Sequence, residues 1–75
     1  MPVDASAQIA ASARVHPDTA IGPGCRIGEF CVIESDVAIG RDCVLEPYVY
    51  VKRWTTMGAR NTVSAGTVLA WTLAR

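Results

Sequence analysis

"RIGEFCVIESDVAIGRDCVLEPYVYV" (Arg26–Val51) places an aliphatic residue at every sixth position: Ile27, Ile33, Ile39, Leu45 and Val51. An amphipathic helix repeats its apolar face about every 3.6 residues, and a half-buried strand repeats it every second residue. Six is a multiple of two, so these side chains share one face of extended backbone. One straight strand of that length does not fit a domain of 75 residues. The chain must therefore bend at regular intervals.

The same step runs outward in both directions. Val3, Ile9, Val15 and Ile21 precede the stretch, and Met57, Val63 and Leu69 follow it, with no insertion to shift the register. Two residues before most of these aliphatics stands a small side chain, among them Ala7, Ala13, Thr19, Cys25, Cys31, Cys43 and Thr55. Glycine directly follows the aliphatic at Gly22, Gly28, Gly40 and Gly58, and Pro17, Pro23 and Pro47 fall two after it. Those are turn residues, and proline there is incompatible with a central strand.

This is a hexapeptide repeat. Each hexad supplies a short strand and a corner, with the aliphatic and the small residue before it both turned inward. Three hexads close a triangular coil of 18 residues, and successive coils stack as parallel strands about 4.8 Å apart. The expectation is an all-β fold, one parallel β-helix over residues 1–75, of about four triangular coils and without a helical cap. Its left-handed winding is implied by resemblance to hexapeptide-repeat proteins, against the usual right-handed crossover.

Stacking at 18 sorts the chain onto three faces. Val3, Ile21, Ile39 and Met57 define the first, Ile9, Ile27, Leu45 and Val63 the second, and Val15, Ile33, Val51 and Leu69 the third. Outward positions of the first face are small: Ala20, Gly22, Ala38, Gly40, Thr56 and Gly58. The third carries Arg14 and His16 near one end, then Val32, Tyr50 and Val68. Phe30 and Tyr48 stack at the corner entering it, and Trp54 and Trp71 lie at the corner leaving it. An exposed aromatic and aliphatic patch of this kind marks an interaction surface. Phe30, Val32, Tyr48, Tyr50, Trp54, Val68 and Trp71 are the expected oligomer interface.

Composition narrows the partners. Seven basic and seven acidic residues cancel without a run of either sign, which gives no footprint for nucleic acid. No apolar stretch approaches membrane-spanning length. The start, Met-Pro-Val-Asp, lacks the regions of a signal peptide, so a cytoplasmic location is expected. Cys25, Cys31 and Cys43 all hold inward small positions and read as buried free thiols. They are not spaced as a zinc site, and no metal or cofactor is expected. Asn61, inward above Cys43, reads as a hydrogen-bonded core amide.

The run "IGPGCRIGEFCVIESDVAIGRDCVLEPYVYV" with "MGARNTVSAGTVL" resembles the amino-terminal coils of the acyl-carrier-protein-dependent UDP-N-acetylglucosamine O-acyltransferases of lipid A synthesis. Its most specific pieces are Ile27-Gly28-x-Phe30-Cys31 and Gly58-x-x-Asn61; "ARVHPDTAIGPG" (Ala13–Gly24) is similar to the family's early coils. The resemblance implies a homotrimer of parallel prisms with grooves between subunits, acyl-carrier protein as donor, a UDP-sugar as acceptor, and no metal. It also implies that the family's histidine base and other substrate-binding residues lie in coils beyond Arg75. It therefore assigns no catalytic residue here.

His16, the lone histidine, sits in an Arg-Val-His-Pro context without an evident orienting partner and reads as a solvated or interface residue. The leading expectation is a self-assembling module that is not catalytic on its own, a trimer or two trimers stacked end to end. The alternatives are a divergent acyltransferase that binds acyl-carrier protein or a UDP-sugar, and a regulatory subunit of a full-length homologue.

Overall fold

A computed structural model describes residues 3–70. It contains eleven two-residue strands: β1 (Gln8–Ile9), β2 (Arg14–Val15), β3 (Ala20–Ile21), β4 (Arg26–Ile27), β5 (Val32–Ile33), β6 (Ala38–Ile39), β7 (Val44–Leu45), β8 (Tyr50–Val51), β9 (Thr56–Met57), β10 (Thr62–Val63) and β11 (Val68–Leu69). They form three parallel sheets, β1-β4-β7-β10, β2-β5-β8-β11 and β3-β6-β9. Every pairing joins residues 18 apart, as in Gln8↔Arg26 and Ile27↔Leu45. Val3 adds a bridge to Ile21 on the sheet of β3. The result is a parallel β-helix of three complete turns with a fourth partly built. No helix among the described residues is long and apolar enough to cross a membrane.

Each strand alternates an outward residue with a buried aliphatic, so three slices of aliphatic side chain meet at the axis of every coil. Ile33, Leu45 and Val51 are almost wholly buried, and so are the small inward residues Thr19, Cys25, Cys31, Cys43 and Thr55. The first coil differs, since Val3, Ile9 and Val15 are only half-buried. They pack against the coil above and have no neighbour below among the described residues.

The small inward residues have a second task. The backbone carbonyl just after each inward aliphatic needs a donor, because an unpaired buried carbonyl is costly. Thr19 Oγ1 donates to Glu34 O at 2.8 Å, Cys25 Sγ to Gly40 O at 2.9 Å, Cys31 Sγ to Glu46 O at 3.1 Å and Cys43 Sγ to Gly58 O at 3.1 Å. Each donor serves the carbonyl 15 residues later, in the next coil. Val37 cannot donate, and Lys52 O is served instead by Thr55 Oγ1 at 2.7 Å. Asn61 Nδ2 donates to Gly58 O at 3.1 Å and to Ala59 O, which makes it the hydrogen-bonded amide its position suggests. All three thiols are free and buried, and burial pushes the Cys25 thiol up from its ordinary range.

Corners divide into two kinds. From Ile21 to Val63, the third residue after each inward aliphatic is left-handed: Gly24, Phe30, Asp36, Asp42, Tyr48, Trp54, Arg60 and Gly66, with φ between 55° and 79°. The corners of the first coil instead close ordinary turns, with Ala7 N–H donating to Asp4 O, Ala13 N–H to Ala10 O and Thr19 N–H to His16 O.

Candidate functional site

The third face, built by β2, β5, β8 and β11, carries the features that neither packing nor turns require. Its outward column is Arg14, Val32, Tyr50 and Val68, aligned by the 18-residue register. Aromatic ridges flank it. Phe30 and Tyr48 stack at one corner with ring centroids 5.3 Å apart and planes 15° from parallel. Trp54 stands at the other, with the Arg53 guanidinium 4.5 Å over its ring, a cation–π contact.

Phe30, Tyr48, Trp54 and Val68 are each more than half exposed; Val32 and Tyr50 are half-buried in the single chain. Trp71 lies outside the described residues. Three of these aromatics occupy left-handed backbone, which a bulky side chain adopts at a cost of about 1 kcal/mol. The corner backbone is repaid within the chain, as Phe30 N–H donates to Ser12 Oγ, Tyr48 N–H to Glu29 O and Trp54 N–H to Asp36 O; the exposure of the three rings is not.

Between the ridges, at the first-coil end, lies an open groove of about 690 Å³ whose lining includes Arg14, His16, Val32, Glu34, Ser35 and Arg53. Glu34 is locked in place. The Tyr50 hydroxyl donates to its Oε2, and the Arg53 backbone N–H donates to its Oε1 at 2.9 Å. The Tyr50 bond holds the Glu34 carboxyl below the usual carboxylate range and pushes the Tyr50 phenol up. His16 Nδ1 accepts the Asp18 N–H at 3.1 Å, so a neutral ring carries its proton on Nε2. Its Nδ1 lone pair is thereby engaged and not free to act as a general base.

Sequence reasoning placed the aromatic ridges and missed this cluster. Glu34, Arg53 and His16 lie at corners or beside them, and only the register of 18 brings them together. Among the described residues, no group of three or more histidine, cysteine and carboxylate side chains is placed to hold a metal ion.

Curated relatives supply the remaining observation. Acyl-[acyl-carrier-protein]–UDP-N-acetylglucosamine O-acyltransferases of Brucella ovis, Brucella canis and Brucella melitensis are each 36% identical to this chain over 58 residues. The chain is a homologue of these acyltransferases. The match covers 77% of this chain and 21% of each acyltransferase, so the chain spans about a fifth of the enzymes it resembles. No family model and no solved structure matches the chain.

Proposed function

We propose that this chain is an assembly module derived from the coils of an acyltransferase, left-handed in its winding as the resemblance implies, and not catalytic by itself. Its partners are two further copies, packed through the third face into a homotrimer in the cytoplasm. The observation that carries this reading is the pair of aromatic ridges, exposed and held at left-handed corners. Large apolar side chains left exposed together along one face point to a contact outside the chain.

Mass in solution tests it first. Light scattering on a sizing column is expected to give 24 kDa, three times the 8.0 kDa chain, or twice that if trimers stack end to end. A folded 8.0 kDa particle sinks the proposal. Tyr50→Lys combined with Trp54→Glu is expected to dissociate the trimer, because the interface would bury charge without partners. An unchanged mass in that double variant would mean a different face is used.

A second reading rests on the names of the relatives. Grooves between subunits would then retain affinity for acyl-carrier protein or a UDP-sugar, with or without residual transfer. The engagement of His16 Nδ1 by the Asp18 N–H favours the non-catalytic form. Acyl transfer by the purified chain, abolished by His16→Ala, would reverse that preference. Co-purification with a full-length acyltransferase through the same face would make the chain a regulatory subunit of that enzyme.

A further inference from the structure

We infer that the groove at the first-coil end of the third face is an anion site that takes a phosphate or diphosphate group. A single chain supplies every residue that lines it, at the first-coil end of the face through which copies are proposed to pack. The argument is an inventory of donors and acceptors. Arg14 and Arg53 both line the groove, and among the described residues the arginine–carboxylate ion pair is Arg41–Asp42. Neither lining guanidinium is therefore in direct contact with a carboxylate, although Arg53 attracts the Glu34 charge from further off. The Arg53 guanidinium lies 4.5 Å over the Trp54 ring, and its N–H groups make no hydrogen bond to another described residue. With Nδ1 taken by the Asp18 N–H, His16 has its Nε2–H left as a donor, and Ser35 adds a hydroxyl.

The one carboxylate in the lining, Glu34, is already consumed. Its two oxygens accept from Tyr50 and from the Arg53 backbone, so it positions the Arg53 corner and has little left to accept from a ligand. The surplus in the groove is of donors and positive charge. Two guanidiniums, an imidazole and a hydroxyl exceed what the two oxygens of a carboxylate can accept. They suit a group with three or more acceptor oxygens, and arginine forks match phosphate geometry.

A second groove on the molecule gives the contrast. Its volume is about 480 Å³, and it is lined by Arg26 together with Glu29 and Glu46. There carboxylates outnumber the single guanidinium, and an anion would be repelled. The two grooves lie on neighbouring faces of one prism, so the difference is in their side chains and not in their architecture.

The test is an NMR titration of labelled protein with inorganic pyrophosphate, read at the His16 ring and the arginine side chains, with sodium chloride at matched ionic strength as control. Saturable shifts at Arg14, His16 and Arg53 are expected. Arg14→Gln and Arg53→Gln should each weaken binding about tenfold, the equivalent of one charged hydrogen bond. Arg26→Gln, in the other groove, should leave it unchanged. Absence of saturable shifts in folded protein overturns the assignment, as does an equal loss in Arg26→Gln, which would reveal general charge attraction.

Uridine diphosphate in place of pyrophosphate then identifies the bearer. Tighter binding than pyrophosphate assigns a nucleotide, and equal binding assigns the bare phosphate group; both retain the site. A monomer that binds pyrophosphate would sink the trimer and leave the groove standing. A trimer that does not bind would do the reverse.

Discussion

The first coil and the coils above it are written in the same six-residue code, yet they are built differently. Above, corners are left-handed, and their N–H groups reach carbonyls of the coil below: Asp42 N–H to Pro23 O, Tyr48 N–H to Glu29 O and Arg60 N–H to Arg41 O. The first coil turns its corners conventionally, and two of its serines stand in for those carbonyls. Gly24 N–H donates to Ser6 Oγ at 3.0 Å and Phe30 N–H to Ser12 Oγ at 2.9 Å. Ser6 is held in turn by the Asp4 carboxylate, and Ser12 donates to Glu29 Oε1. A left-handed corner is thus a feature of a coil that rests on another coil.

The largest test of that difference lies in the core. Leu45 and Ile9 share a column of the second face, but Leu45 is 1% exposed and Ile9 is half-buried. Leu45→Ala should cost about 2–5 kcal/mol, the range for a fully packed site, and Ile9→Ala about half as much. Urea unfolding checks this, and equal losses would mean the first coil packs as tightly as the rest.

Glycine substitutions come next. Gly24 has a φ of 74°, and a Cβ there would sit 2.3 Å from Asp42 Oδ1; Gly66 has a φ of 79° and open space around it. Gly66→Ala should cost about 1 kcal/mol, from the left-handed backbone alone. Gly24→Ala should cost more, by whatever it takes to move Asp42, and Asp42→Ala in the same chain should remove the excess.

Ser12→Ala is expected to cost about 1 kcal/mol, since it strips the Phe30 N–H of its acceptor. Ser64→Ala, whose hydroxyl makes no hydrogen bond to another described residue, should be near neutral. A similar loss in both would deny the first-coil serines their special role.

The smallest effect is one of pH. The Glu34 pKa is depressed in the folded chain, so its contribution is complete above the ordinary value of 4.5 and fades as pH falls through the lower folded value. The Tyr50 pKa is raised, so its contribution is complete below 10.0 and fades as pH rises through the folded value. Tyr50→Phe should flatten both arms of the urea midpoint against pH. Unaltered arms would show that the bond contributes nothing in solution.

The sequence displayed its period plainly because every coil repeats one burial problem. Ile27, Ile33, Ile39, Leu45 and Val51 are read as one inward set and are found as one. Cys25, Cys31 and Cys43 were legible as inward and free, though their service to carbonyls 15 residues away was not. Corners were less transparent. Gly24 and Gly66 suit left-handed backbone, and Asp36 and Asp42 tolerate it, but Phe30, Tyr48, Trp54 and Arg60 carry no local signal for it. Stacking on the coil below imposes that conformation, and no window of six residues contains the coil below. The groove was hidden for a related reason: Arg14, His16, Glu34 and Arg53 look like scattered surface charges until the turn of 18 is applied.

The unbroken register of 18 also sets how such a chain can fold. Each added coil closes the same loop, so each addition meets nearly the same entropy cost and gains nearly the same contacts. Only the first stacking event, between two bare coils, is unsupported. Folding should therefore be slow to start and quick to continue, like the closing of a zip, and its slow step should be insensitive to how many coils follow.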